Sequence, residues 1–309
     1  MHLPVVLALD FGGSKIAAAV AELTGARLGS TTVDTVVEHG AHANLQRGIG
    51  AARVLLETTA AGRPLVAVGA STFGIPTDDG ILLAPTIPGW GDLILGRELR
   101  RAFAGAEIRL ATDVKAAAQA EAEWGALAGC DPGIYLNLGT GLAAAIVANG
   151  SVLTGRHGAA GEIGYNLRGL PDVGLAPADR VPLEESVSGK ALMREASRIL
   201  PDADGATAVF ARAAADPRIA RLIGAFVTEL AFHVVNLAIA VDPVRIAVGG
   251  GMVRSWDRLH GGLRAALDAA VPFPPDLVPA EFPFDAPLMG ALALGTAAAR
   301  EVLSQEASA

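Results

Sequence analysis

The sequence predicts a duplicated α/β fold in two domains, and three observations carry that expectation. A short apolar strand, a glycine-hydroxyl turn and a returning apolar strand occur twice, at 5–21 and at 134–148. The rest of the chain sets short apolar runs among longer amphipathic or alanine-rich segments, the pattern of strands and helices in packed layers. Its 309 residues suit one large or two ordinary domains, long enough to bury sizeable cores. Two such hairpins in one chain suggest a repeated architecture that holds a nucleotide between its halves.

In the first hairpin, Val5 to Leu9 form an apolar strand that ends in Asp10-Phe11-Gly12-Gly13-Ser14-Lys15, and the apolar run resumes from Ile16 to Ala21. An aspartate at a strand end followed by glycines and a hydroxyl suits a cation-bearing phosphate. Asp10 faces Mg²⁺ or its waters while the turn N–H groups face oxygens. An ordinary turn, with Asp10 bonding its own backbone, fits the same residues.

Residues 44–61 read as an amphipathic helix and Leu65 to Ser71 as a buried strand. Phe73 to Gly80 is turn chemistry. Ala84 to Trp90 is a proline-rich loop that suits either a wall of a polar ligand site or plain surface. A helix near 93–103 leads to a strand from Glu107 to Ala111. Thr112-Asp113 then precedes the alanine-rich helix VKAAAQAEAEWGALAG, so Asp113 is a candidate N-cap. A carboxylate fixed at a strand-to-helix junction is also well placed to take a proton from a hydroxyl.

The second hairpin opens the stretch from Ile134 to Asn166. IYLNL and LAAAIVA read as antiparallel strands closed by Gly139-Thr140-Gly141, and Asn149-Gly150 starts another turn. Glycines at 139 and 141 leave N–H groups bare, which with Thr140 can hold phosphate oxygens; a plain hairpin is the alternative. Glu162 sits among glycines and apolar residues, a costly place for a charge unless a hydroxyl-rich ligand or a backbone cap meets it. Residues 167–182 read as a loop, and Leu183 to Lys190 as the opening of a helix. Glu184 there either answers a helix dipole or faces a ligand. Gly189-Lys190 lacks the flanking residues of a P-loop. Helices at 206–214 and 218–240 precede a strand from Arg245 to Val248. Gly249-Gly250-Gly251 then allows close approach of a flat ligand such as adenosine, and a closing helix begins at Ala286.

A net charge of −8 argues against non-specific attachment to nucleic acid or to an anionic membrane surface. No stretch runs uninterrupted for the roughly 20 apolar residues of a membrane span, and the N-terminus lacks the features of a signal peptide, so a cytoplasmic location is expected. The single cysteine, Cys130, excludes an internal disulfide and a cysteine-rich zinc site. Histidines 2, 39, 42, 157, 233 and 260 show no metal spacing. Lysine occurs only at 15, 115 and 190, a bias of GC-rich genomes.

The order of these features resembles the ROK family of bacterial sugar kinases and repressors over nearly the whole chain. LALDFGGSKIA looks like its first phosphate motif, TDVKAAAQAE like its catalytic-aspartate helix, LGTGLAAAIVANGSVLTGRHGAAGEIGY like its signature, and IAVGGGM like its nucleotide-side glycines. The resemblance implies an actin-like, hexokinase-like (ribonuclease H-like) fold with two domains around a cleft. Residues 1–113 would form a smaller domain, with about 290–309 packing back on it, and 114–289 a larger one.

Carried over, Asp113 is the general base for the sugar 6-hydroxyl. Asp10, Gly12, Gly13, Ser14, Lys15, Gly139, Thr140, Gly141, Gly249, Gly250 and Gly251 serve ATP and Mg²⁺. Glu162 and Glu184 grip sugar hydroxyls. The chain departs from the family pattern at Thr86, Thr112 and Tyr165, where the family usually has Asn, Asn and His, and it lacks the three-cysteine zinc cluster. No zinc is therefore expected, and the altered sugar-facing positions turn expectation away from plain glucose. The surviving carboxylates suit an ammonium on the ring, as in kanosamine, the 3-amino-3-deoxy relative of glucose. The alternatives are a glucokinase using ATP or polyphosphate, and a non-catalytic sugar-binding or regulatory protein. With Asp10 so near the start, no DNA-binding segment is expected ahead of it. A homodimer follows from the resemblance.

Overall fold

The structure is a computed structural model that describes residues 3–307; His2 lies outside the described residues. In chain order the strands and helices are β1 (Val5–Phe11), β2 (Lys15–Glu22), β3 (Arg27–Asp34), α1 (Gly40–Thr59), β4 (Leu65–Thr72), β5 (Ile75–Pro76), β6 (Ile81–Leu82), α2 (Leu95–Ala102), β7 (Glu107–Thr112) and α3 (Asp113–Trp124). There follow β8 (Gly133–Leu138), β9 (Leu142–Ala148), β10 (Ser151–Val152), α4 (Gly189–Ala196), α5 (Gly205–Arg212), α6 (Pro217–Val241), β11 (Arg245–Gly249), α7 (Trp256–Ala270), β12 (Asp276–Pro279) and α8 (Ala286–Glu306). Single 3-10 turns punctuate the connections.

The chain divides into two compact units. Unit 1 holds the chain up to Glu123, Thr154–Ala159 and the chain from Asp285; unit 2 holds Trp124–Leu153 and Ala160–Phe284. Unit 1 keeps α3 past residue 113 because that helix is packed backbone to backbone against α8: a Cβ on Gly290 would overlap the Ala116 carbonyl.

Unit 1 is built on a five-stranded sheet of order β3-β2-β1-β4-β7. β1 pairs antiparallel with β2 and parallel with β4, and β4 pairs parallel with β7. β1 is buried at every residue because both faces are covered. Leu7, Leu9 and Phe11 join Leu45, Ile49 and Ala52 of α1 in one core. On the other face Gly295 of α8 comes close enough that a Cβ there would lie 3.5 Å from Val6 Cβ.

Unit 2 repeats the plan with the order β10-β9-β8-β11-β12. Strands β8 and β9 form the expected antiparallel hairpin with Ile134 opposite Ile146, and β11 lies parallel to β8 and β12. Asn149 and Gly150 both take positive φ (53° and 70°), as a type I′ turn between β9 and β10 requires. The core joins Leu136, Leu138 and Val248 to Leu230 and Val234 of α6 and to Leu259 and Leu263 of α7.

The structure departs from several expectations read from the sequence. α1 starts at Gly40 rather than 44, and buried Asn44 closes its entry: Nδ2 donates to the Val36 and Gly40 carbonyls, and Oδ1 accepts from Val36 N. β3 and β12 escaped sequence reading. RLGSTTVD is an edge strand whose residues alternate between exposed and half-buried, so it carries no apolar run, and DLVP is short and ends in proline. The helix expected from 183 begins instead at Gly189, after a single turn at Leu183–Glu185.

One helix, α6, is long and apolar on average, although Arg221, Glu229, His233 and Asn236 interrupt its apolar run. Its 25 residues, with a mean hydropathy of 1.8 over an 18-residue window, are long and apolar enough to cross a membrane. Here α6 is capped by Asp216 and sends Ile219, Ile223, Phe226, Leu230 and Val234 into the core of unit 2. Those residues recur at intervals of three and four, the stripe of a core helix.

Candidate functional site

The carboxyl ends of the parallel strands in unit 1 gather the first group of residues. Asp10 on β1 stands in register with Ser71 on β4, Thr72 of β4 stands opposite Thr112 on β7, and Asp113 follows at once as the first residue of α3. Parallel α/β sheets place ligands at this edge because strand ends and helix starts converge there.

Asp10 is buried, and Ser71 Oγ donates to its Oδ1 at 2.8 Å. Burial raises its pKa from 3.8 to about 7; the Ser71 hydrogen bond pulls the other way, the Asp113 charge adds to the rise and Lys15 opposes it. Asp10 and Asp113 therefore share one field. Sequence reading missed Ser71, whose only signal was a hydroxyl at the end of an apolar strand.

Asp113 was a candidate N-cap, but the cap falls one residue earlier. Thr112 Oγ1 accepts the N–H of Lys115 at 3.2 Å, leaving Asp113 half-buried with its Oδ1 on Val114 N at 2.9 Å. Thr112 itself is buried, 5% exposed, so its hydroxyl serves the helix start.

The turn after β1 is held by its own backbone. Gly12 N donates to Lys15 O at 3.0 Å and Thr35 Oγ1 to Gly12 O at 2.8 Å, while Ser14 and Lys15 are exposed. Thr86 lies beside this turn, its methyl 3.3 Å from where a Cβ on Gly13 would stand. The proline-rich loop that carries Thr86 is pinned by Trp90, which is 1% exposed, stacked on Phe73 at 5.1 Å and bonded through Nε1 to Thr72 Oγ1 at 3.0 Å. The loop thus has a core anchor and an exposed rim.

Unit 2 brings three glycine devices together. Gly189 and Lys190, at the start of α4, donate their N–H groups to the carbonyls of Gly139 (2.9 Å) and Thr140 (3.3 Å). Gly250 takes φ 85° and abuts the backbone of Leu138 and Gly139, so any side chain there would strike the turn. Gly249 likewise fits against the Tyr135 ring, and Gly251 is open. The 139–141 turn and the 249–251 run are therefore one backbone surface. Gly189 belongs to it although no motif in its neighbours marks it.

The remaining acidic residues stand along the same hairpin. Glu184 Oε2 accepts Leu142 N at 2.9 Å, and a Cβ on Gly141 would collide with that carboxylate, so glycine there leaves the carboxylate its place. Tyr165 is 42% exposed; its phenol pKa is raised by partial burial and by the charges of Glu184 and Glu162. Glu162 is half-buried, so the cost expected for its charge is smaller than the sequence implied. Glu185 is committed elsewhere: it pairs with Arg194 (2.6 Å) and Lys190 (3.4 Å), which hold its carboxyl below the usual range. The structure thus builds a carboxylate pair with a backbone turn in unit 1, and two carboxylates, a phenol and a glycine surface in unit 2.

Asp10 fits a hard cation: it is a buried oxygen donor that a positive charge beside it would return to the ionised form, and Mg²⁺ needs only one or two such carboxylates besides phosphate oxygens. Among the described residues there is no group of three or more His, Cys, Asp or Glu placed to hold a metal ion.

Two sheets of identical strand order, each with glycine turns at its strand ends, define the actin-like, hexokinase-like α/β class. The chain belongs to the ROK family, whose model matches residues 6–298. Kanosamine kinase of Amycolatopsis mediterranei is 30% identical over 309 residues, covering 98% of this chain and all of that relative. The crystal structure of a ROK hexokinase from Thermus thermophilus superposes with a TM-score of 0.81 at 30% identity, covering 96% of this chain and 99% of the other. A ROK glucokinase from Streptomyces griseus, solved with glucose and AMPPNP, gives a TM-score of 0.74 at 26% identity over 94% of this chain and 99% of that one.

Proposed function

We propose that this protein is an ATP-dependent sugar kinase that phosphorylates the 6-hydroxyl of a glucose-like hexose. The observation that carries this reading is Asp113 at the head of α3, with Thr112 taking the helix cap and Asp10 in its field. Asp113 accepts the proton of the 6-hydroxyl as that oxygen bonds to the γ-phosphorus. The bond from phosphorus to the β,γ-bridging oxygen breaks, and ADP leaves with the electron pair. In the turns at Gly12-Gly13 and Gly139-Thr140-Gly141 the N–H groups other than those of Gly12 and Gly139, which bond Lys15 O and Gly141 O, supply dipoles for phosphate oxygens, and Gly249–Gly251 supplies a flat backbone for the nucleoside. Asp10 would hold Mg²⁺ directly or through water, and the ion when bound supplies positive charge to the phosphates. Glu162, Glu184 and Tyr165, with Thr86, select the sugar, while Thr112 fixes the helix start that carries Asp113.

The acceptor we favour is kanosamine. Two carboxylates and a phenol suit an ammonium on the ring, and the full-length relative from Amycolatopsis mediterranei bears that name. Glucose is the second reading, favoured by the likeness to the Streptomyces griseus enzyme. The same reading takes the protein as a cytoplasmic homodimer with no nucleic-acid partner, which size-exclusion chromatography tests for the dimer.

A coupled assay with ATP-Mg, polyphosphate as a second donor and a sugar panel tests the whole proposal. Faster turnover on glucose than on kanosamine removes the finer acceptor. Asp113→Ala is expected to lower kcat by at least about 10²-fold with circular dichroism unchanged; near-normal activity in that variant would overturn the mechanism.

A further inference from the structure

Residues 173–179 are all exposed, and Arg180 at the end of this run turns back into the fold. Its Nη2 donates to the Tyr165 carbonyl at 2.7 Å and its Nη1 to the Asn166 carbonyl at 3.1 Å. These are consecutive carbonyls at the end of the Ile163–Tyr165 turn, the position where a helical turn leaves oxygens unbonded and where positive charge is favoured. Among the described residues Arg180 makes no ion pair, so its fork serves the backbone.

The middle of this turn is fixed by other means. A Cβ on Gly164 would lie 2.6 Å from Leu142 O and 3.3 Å from Glu184 Cβ, so backbone meets backbone there. Further along, Arg168 ties the loop to α6 through Glu229 (2.7 Å), and Arg168 N rests on Asp172 Oδ2 (2.7 Å). The turn that presents Glu162 and Tyr165 is therefore packed on β9 through Gly164, held at its last carbonyls by the Arg180 guanidinium and linked through Asn166 to His233 at 3.4 Å.

We propose that Arg180 is the positioning residue of the acceptor site: it touches no substrate, and by holding the 162–166 turn it sets how tightly the sugar is bound. This rests on the assignment of Glu162 and Tyr165 to the sugar. Lysine cannot replace the grip, because one ammonium does not span two carbonyls as a planar fork does.

The experiment compares wild type with Arg180→Met and Arg180→Lys. Arg180→Met is expected to raise the KM for the sugar about tenfold or more, the loss of a charge-assisted pair, while KM for ATP and kcat stay within about twofold. Arg180→Lys should fall between. Hydrogen exchange gives a readout independent of turnover: amides of the peptide spanning 163–168 should exchange about tenfold faster in Arg180→Met, with the core of α6 unchanged. Unaltered exchange in that peptide overturns the clamp. Faster exchange with an unchanged sugar KM overturns its role in binding, and a uniform loss of kcat and both KM values with a lower Tm marks Arg180 as merely structural. If wild type phosphorylates no sugar, the kinase reading fails on its own, and the exchange result still decides whether Arg180 holds the turn.

Discussion

Asp10 is an acid whose charge is opposed by burial and by the neighbouring Asp113 carboxylate, and only partly relieved by the Ser71 hydroxyl and by Lys15. Its folded pKa of about 7 lies above the unfolded 3.8, so between those values the folded chain holds a proton that the unfolded chain has released. The stability it contributes is whole below the unfolded pKa and is lost as pH rises through about 7. Asp10→Asn keeps an oxygen for Ser71 and cannot ionise. It should therefore melt higher than wild type at pH 8, by the equivalent of about 4 kcal/mol at most, with the gap closing towards pH 4. Thermal melts across that range check this; equal melting at both extremes would show that Asp10 titrates normally. Asp10 and Asp113 were visible in the sequence as carboxylates at strand ends. Ser71 and the capping role of Thr112 were not, because a hydroxyl gains its partner only once strands are paired.

At the scale of elements, helix α8 is positioned by glycines. A Cβ on Gly69 of β4 would overlap the Ala291 carbonyl, and one on Gly290 would overlap Ala116, so α8 lies directly on the sheet and on the helix that begins with Asp113. Gly290→Ala is expected to cost about 1–3 kcal/mol, the range for forcing bulk into a packed contact. Gly50, exposed in α1 with nothing within 4 Å of its would-be Cβ, behaves oppositely: Gly50→Ala should stabilise by about 0.5–1 kcal/mol. Urea unfolding of both variants tests the pair, and the same sign for both would refute the packing account. The two hairpins and the long helices were legible because a tight turn and a 3.6-residue stripe are local. The edge strand β3 and short β12 were not, since what makes them strands is a neighbour far away in the chain.

At the scale of the molecule, repetition is the main fact: both sheets run three antiparallel strands into two parallel ones. The chain passes between the units near 123, 153, 159 and 284, so neither unit is a continuous segment. A ligand that binds only the folded chain stabilises it by mass action. ATP-Mg at about 100 times its Kd should add roughly 2.7 kcal/mol, and the sugar should add its own share. Calorimetric melts with each ligand alone check this, and no shift with either would contradict the kinase reading.

The sequence by itself determined the repeated hairpins, the order of the motifs and the identity of the acidic side chains, because glycine turns, apolar periodicity and charge are properties of neighbouring residues. Tertiary structure alone decided that Ser71 reaches Asp10, that Gly189 and Gly250 meet the 139–141 turn, and that Arg180 grips the carbonyls at 165 and 166. Each of those contacts joins residues separated by 14 or more positions, and no local preference encodes a distance that only packing can close.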